Sequence, residues 1–176
     1  MKLKAGDKIE KMVLPSTNGT FFNLKEIKGK KTLITFYRFA TCPFCNLRIN
    51  EIIKRYDELD KNFKMVAIFD APLDYLTEAM KKHNAPFTIL ADEEFKYFKQ
   101  YDVEQSLWKF IIGSTVGFFK IFRAFSNGYF PLQLKSMTTV PVDILINKNG
   151  IIDKVFYGRH TIDHLTFEEI KEFSSK

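Results

Sequence analysis

Apolar and polar positions change period along this chain. Thr32-Leu33-Ile34-Thr35-Phe36-Tyr37 and Lys64-Met65-Val66-Ala67-Ile68-Phe69 are short runs rich in apolar, β-branched and aromatic residues. Such runs predict buried strands. Between them, Ile49, Ile52, Ile53 and Tyr56 fall at i, i+3, i+4 and i+7, with Leu59 one turn further. That spacing predicts an amphipathic helix within 43–60. The pattern continues with a helix over 74–82 after Pro72, a short strand over 87–90 and a helix over 93–101. Strands over 142–146 and 151–157 flank the turn signal Asn147-Lys148-Asn149-Gly150, and a helix over 166–174 closes the chain. At the start, residues 9–14 and 20–24 flank Ser16-Thr17-Asn18-Gly19 and predict an N-terminal β-hairpin. The order is that of an α/β fold, a mixed central sheet flanked by helices. A length of 176 residues makes one domain, 1–176, the expectation.

Composition narrows the class. With 45% hydrophobic and 27% charged residues the chain has the make-up of a soluble globular protein, and its nineteen phenylalanines can fill an aromatic core. The net charge of +6 raises the question of nucleic acid. Basic residues are interspersed with acids, as in Glu51, Lys54, Arg55, Asp57 and Glu58, which is the pattern of a solvated helix face. Nucleic acid is therefore not an expected partner. Met1-Lys2-Leu3-Lys4-Ala5-Gly6-Asp7 carries no apolar core of a signal peptide. The longest uncharged apolar stretch, 110–119, is about half a membrane span. A cytoplasmic location is expected, and a membrane partner is not.

The chemistry centres on Cys42-Pro43-Phe44-Cys45, which holds both cysteines of the chain. The pair lies between a strand and a helix, where unpaired backbone N–H groups and the helix dipole favour an anion. A free thiol has a pKa of about 8.5, and CxxC pairs at helix N-termini commonly fall to roughly 3.5–7.5. Pro43 suits the first helical turn. Cys42, near the N-cap with its sulfur toward solvent, is the expected attacking thiolate. Cys45, one turn in and more buried, is the expected resolving thiol. Structural zinc needs four ligands. There is no second CxxC, and His160 and His164 sit far down the chain, so no metal or cofactor is expected. In a reducing compartment a lone CxxC is catalytic more often than structural. Arg38 is the nearest cation that could support a thiolate, its other role being a solvent-facing strand end; Arg123 is a weaker candidate. His83, His160 and His164 read as surface or capping residues. Val140-Pro141 precedes the last hairpin; an ordinary proline at a strand's start and a cis-proline beside the CxxC are both open there.

With these features the chain resembles the thioredoxin fold, and more closely the AhpC/TSA (redoxin) family in its peroxiredoxin-like branch with a CPxC motif. The resemblance rests on Ala5-Gly6-Asp7-Lys8 with Leu14-Pro15-Ser16-Thr17-Asn18-Gly19, on Phe36-Tyr37-Arg38-Phe39-Ala40-Thr41-Cys42-Pro43-Phe44-Cys45, and on the 140–150 segment followed by Tyr157-Gly158-Arg159 and Asp163-His164-Leu165. It implies that Pro141 is a cis-proline packed against the CxxC, holding an incoming thiol-bearing chain and keeping metal away. The family's peroxidatic cysteine lies three residues after a Thr or Ser and seven after a Pro. Placing Cys45 there puts Cys42 and Arg38 at those positions; placing Cys42 there puts Phe39 and Thr35 at them. Neither register keeps the pattern, which favours disulfide exchange over peroxide reduction. Thr41 and Phe36 stand where thioredoxins carry a Trp and a buried acid.

One segment is unusual. From Gln105 to Val142 there is no acidic residue, while Lys109, Lys120, Arg123 and Lys135 add charge. Trp108, Ile111 and Ile112, then Phe118, Ile121, Phe122 and Phe125, recur at helical spacing, with Gly113 and Gly117 suggesting two pieces. This helical insertion around 105–135 is expected to turn its apolar face to the core and its basic face outward; a dimer surface, an acidic-partner dock and a membrane-surface stripe are the alternatives. The function expected is a thiol–disulfide oxidoreductase. Cys42 attacks a protein or small-molecule disulfide, Cys45 resolves the mixed disulfide, and a thioredoxin- or glutathione-type reductant supplies electrons. A peroxiredoxin-like thiol peroxidase reducing hydroperoxides is the alternative, and a redox-switched, non-catalytic binding module the second. A homodimer is compatible with either.

Overall fold

The computed structural model describes residues 2–131 and 136–176; Met1 of the N-terminal stretch and Lys135 of the basic segment lie outside the described residues. The short hairpin β1 (Val13–Pro15) and β2 (Phe21–Asn23) forms where the turn signal predicts it. The main sheet holds β3 (Thr32–Phe36), β4 (Lys64–Phe69), β5 (Thr88–Ala91), β6 (Val142–Ile146) and β7 (Ile152–Tyr157), in the order β5-β4-β3-β6-β7. β3, β4 and β5 run parallel, and β6 and β7 are antiparallel to their neighbours. The mixed α/β architecture read from the sequence is the one observed. The helices are α1 (Pro43–Lys54), α2 (Leu73–Met80), α3 (Lys96–Gln100), α4 (Leu107–Val116), α5 (Phe118–Ser126) and α6 (Phe167–Ser175). α1 ends earlier than its apolar spacing suggests, and Tyr56–Glu58 continue as a 3-10 turn.

β3 is central, and all five of its residues are buried. Because side chains alternate across a strand, it feeds two cores. Leu33 and Tyr37 face a core built with Met65, Ala67 and Phe69 against Ile49 and Ile52 of α1, Leu76 of α2 and Ile170 of α6. Ile34 and Phe36 face a second core with Val66, Ile68, Ile144, Tyr97, Phe98 and the hairpin residues Leu14 and Phe22. The chain leaves β3 at the carboxyl end of the parallel strands, the end where open α/β sheets place their sites. It then passes through residues 37–41 into α1, so Cys42 and Cys45 join the first core.

Of the segment expected around 105–135, residues 107–126 depart from expectation. They are helical and broken near Gly117, as read, but their apolar faces point outward. Trp108 is 77% and Phe119 83% exposed, and Leu107, Ile111, Ile112, Val116, Phe118, Phe122 and Phe125 are exposed too. The reason is steric. α5 approaches the body of the protein along its small residues: Ala124 is fully buried, and Gly117 sits against Phe44 and Ile162. Gly113 of α4 lies against Thr161 with no room for a side-chain carbon. Backbone that close leaves the aromatic line on the opposite face. A Cβ at Gly117 would stand 2.8 Å from Phe44 Cε1 and 2.9 Å from both Ile162 Cδ1 and the Gly113 carbonyl oxygen. Gly117→Ala is expected to cost roughly 1–3 kcal/mol by overpacking, measured as a lower urea midpoint at unchanged slope.

Candidate active site

Cys42 is the N-cap of α1, and its sulfur accepts a hydrogen bond from the Cys45 N–H at 3.3 Å. Pro43 occupies the first helical position, where its missing N–H costs nothing. The two cysteines are therefore within one turn of each other, as the motif predicts, and both are free thiols. The expectation that Cys42 faces solvent does not hold. Cys42 is 0% and Cys45 4% exposed. Phe39, Ala40, Tyr37 and the first turn of α1 pack around them in the core. An N-cap at a sheet's end is exposed only when nothing is built over it; here Met137 packs against this core and lies over this end.

That cover also explains Arg38. It is 3% exposed, not a solvent-facing strand end. Its Nη1 donates to the Met137 carbonyl at 3.0 Å, and its guanidinium lies 5.7 Å from the Phe44 ring centre and 6.0 Å from that of Phe39. Nε has no hydrogen-bond partner among the described residues. Burial would discharge this arginine, but the facing Cys42 and Cys45 sulfurs outweigh that and hold it more firmly protonated. The favour is returned. Burial alone would raise the Cys42 pKa; hydrogen bonding from the Cys45 thiol, the Arg38 charge and the N–H groups of Cys45 and Phe44 overcome it and bring Cys42 to about 6. Cys45 moves the other way, pushed up by burial and then by the hydrogen bond and charge of Cys42, with Arg38 opposing. The two thiols are thus driven apart in acidity, Cys42 downward and Cys45 upward, although both are buried. Arg123, the weaker candidate cation, is exposed on α5 and lines the groove described next.

A groove of about 740 Å³ lies between α1, α5 and the loop before α6, and Cys45 and Phe44 line it together with Arg48, Lys120, Arg123 and His164. Its far wall is held by a buried carboxylate that the sequence reading missed. Asp143 of β6 accepts from Thr35 Oγ1 at 2.5 Å, from the Leu165 N–H at 2.7 Å and from His164 Nδ1 at 3.1 Å. Burial acts to raise the Asp143 pKa, but His164, Thr35 and Arg48 together lower it. Arg48 Nη2 adds a bond to the Leu165 carbonyl at 2.6 Å. His164 is therefore a core-side partner of Asp143, not a surface residue. His83 is buried as well, with Nε2 2.6 Å from Asn46 Oδ1. His160 is part-buried at the groove. A charged residue in an apolar strand, as Asp143 is within Val142–Ile146, was the available signal for the first of these.

Pro141 requires a correction. The Val140–Pro141 bond is trans, and no peptide bond among the described residues is cis. The local reason is pairing: the Val140 N–H bonds to the Glu104 carbonyl at 2.8 Å, and the Pro141 carbonyl accepts from the Gly158 N–H at 2.9 Å. These ladder-like bonds serve an extended trans segment, the isomer that X–Pro prefers by about 0.5–1 kcal/mol. Pro141 does lie at the same end of the sheet as the cysteines, since its neighbour Val142 pairs with Phe36.

Comparison with known proteins places this geometry. Residues 5–155 match the family model described as AhpC/TSA family. Peroxiredoxin Bcp of Escherichia coli (strain K12) is 31% identical over 102 residues, which are 57% of this chain and 65% of that protein, just under two thirds of its length. Peroxiredoxin Bcp of Bacillus subtilis (strain 168) is 23% identical over 181 aligned positions covering 100% of both. The crystal structure of peroxidoxin BcpB from Mycobacterium tuberculosis superposes with a TM-score of 0.72 at 15% identity, over 98% of this chain and 97% of that one. The thioredoxin-like fold expected from the resemblance is thereby met.

The thiolate can be tested directly. Ultraviolet thiolate absorbance of the reduced protein is expected to rise with a midpoint near pH 6. Arg38→Met is expected to shift it upward by about one unit or more, a roughly tenfold smaller thiolate population on the acid side. The linked stability follows in sign. Between about pH 6 and the ordinary thiol range the unfolded chain binds a proton at Cys42 that the folded one does not. This group's contribution is therefore full above the unfolded pKa and is lost as pH falls through 6, as denaturant titration of the reduced protein will read.

Proposed function

The chain belongs to the AhpC/TSA family, and on that premise we propose that it is a thiol peroxidase of peroxiredoxin type. The sequence reading favoured disulfide exchange; the likeness to Bcp peroxiredoxins supports the peroxidase alternative better. The observation that carries the reading is the buried Arg38 facing a depressed Cys42 at a helix N-cap. In the proposed cycle the Cys42 thiolate attacks one oxygen of a hydroperoxide. The O–O bond breaks, an alcohol or water leaves, and the sulfur becomes a sulfenic acid. Cys45 then attacks that sulfur, losing its proton as water departs, and a Cys42–Cys45 disulfide forms. Two electrons from a thioredoxin- or glutathione-type dithiol restore both thiols. Arg38 supports the thiolate and the developing negative charge of the leaving oxygen. Pro141 has a place only in shaping the sheet end. We further propose that the single domain works in a reducing compartment such as the cytoplasm.

Since Cys42 is fully buried, a turn of the site must open for peroxide to reach it. Stopped-flow oxidation of the reduced protein by hydrogen peroxide and by an organic hydroperoxide tests the reading. A rate constant orders of magnitude above that of free cysteine, abolished in Cys42→Ser, is expected. A rate equal to that of free cysteine would remove the peroxidase. Disulfide exchange is the second reading, favoured by two free thiols in hydrogen-bond contact with each other at the start of α1. It predicts insulin reduction dependent on Cys42 without fast peroxide oxidation.

A further inference from the structure

Asn46, the residue after Cys45, spends all of its side chain on the redox turn. It is 2% exposed. Its Nδ2 donates to the Ala40 carbonyl and to the Cys42 carbonyl, both at 2.9 Å. A primary amide has two N–H donors, and each is used once. Its Oδ1 can then only accept, and the group that faces it is His83 Nε2 at 2.6 Å. This fixes the histidine as the donor at Nε2. His83 lies in the 3-10 turn that ends α2, and its ring stacks on Tyr129 with centres 5.4 Å apart. The charges around it are Lys82, which acts with burial to lower the His83 pKa to about 4 and whose ammonium sits over the Tyr129 ring. The amide therefore has one orientation. Rotated by half a turn, it would set an oxygen against two carbonyls and an NH₂ against the imidazole N–H.

The backbone so gripped is the piece that aims Cys42. The Ala40 and Cys42 carbonyls are held, and the Asn46 N–H adds a 3.0 Å bond to the Cys42 carbonyl, so residues 40–42 are tied to the first turn of α1. The Cys42 sulfur then stays over the Cys45 N–H and before Arg38. We propose that Asn46, oriented by His83, is a positioning residue that keeps the Cys42 sulfur at the helix N-terminus as a thiolate. This rests on the redox reading of Cys42 but not on which oxidant it meets. Nothing in the step is covalent, and neither residue touches the reacting atoms. The arrangement also joins the turn to the end of α2 and, through Tyr129, to the segment after α5.

The experiment is a thiolate titration of reduced wild-type protein, Asn46→Ala, His83→Leu and His83→Gln, with circular dichroism to check the fold. The groups facing the Cys42 sulfur, Arg38 and Cys45, are unchanged in all four. Asn46→Ala is expected to raise the midpoint by about one unit or more, a roughly tenfold loss of thiolate on the acid side of the wild-type midpoint. His83→Leu, which cannot donate to Oδ1, is expected to shift it the same way. His83→Gln, whose amide can donate, is expected to restore most of the wild-type value. A midpoint that stays at the wild-type value in folded Asn46→Ala would overturn the proposal. If Asn46→Ala does not fold, equal midpoints for the two His83 variants would overturn it. A wild-type midpoint in the ordinary thiol range would strike down the redox reading and the clamp together, whereas a low wild-type midpoint indifferent to these variants would strike down the clamp alone.

Discussion

A guanidinium sealed under protein needs a negative charge, and in this molecule the nearest source of one is a cysteine. Arg38 has one hydrogen bond to a carbonyl and otherwise faces the Cys42 and Cys45 sulfurs. Burying an unpaired charge costs several kcal/mol, so the fold tolerates Arg38 because Cys42 ionises, and Cys42 ionises because Arg38 and the α1 N–H groups are there. The two cysteines cannot share this benefit. Once Cys42 is the anion, Cys45 is left in an apolar site beside a like charge, and it keeps its proton. The difference in acidity between the two sulfurs thus follows from one buried cation and the direction of one helix.

Everything near the site serves to hold that pair in place. β3 delivers Arg38 from the centre of the sheet, and α1 turns its N-terminus to the sulfurs. The chain around Met137 closes over the guanidinium. Asp143, carrying three hydrogen bonds at full burial, ties the loop before α6 to the sheet and so sets the wall of the groove that Cys45 lines. The cost is access. Cys42 is fully buried, while Cys45 meets the groove. When Cys42 is oxidised its charge is gone, and Arg38 is left buried without a counter-charge.

Much of this was legible in the chain. The strands, the main helices and the turn before Ile151 follow from period and turn residues, and the CPFC motif put Cys42 and Cys45 between a strand and a helix, where they are found. Other features were not legible, for physical reasons. The spacing of Phe118, Phe122 and Phe125 shows a one-sided helix but not which side meets the body; Gly113 and Gly117 decided that by letting backbone approach Thr161 and Phe44. A histidine's neighbours are set by distant segments, so His83 and His164 read as surface residues until Asn46 and Asp143 were seen beside them. The isomer of the Val140–Pro141 bond depended on pairing with Glu104 and Gly158, both remote in sequence.

By itself, then, the sequence determined the elements, their order, the family and the place of the cysteine pair at the start of α1. Those depend on local period, on helix-end geometry and on a contiguous motif. Tertiary structure alone decided the burial of both sulfurs, the facing of Arg38 onto them, and the Asn46–His83 and Asp143–His164 pairs. Burial and charge pairing are properties of what the rest of the chain brings alongside, and no window of sequence contains them.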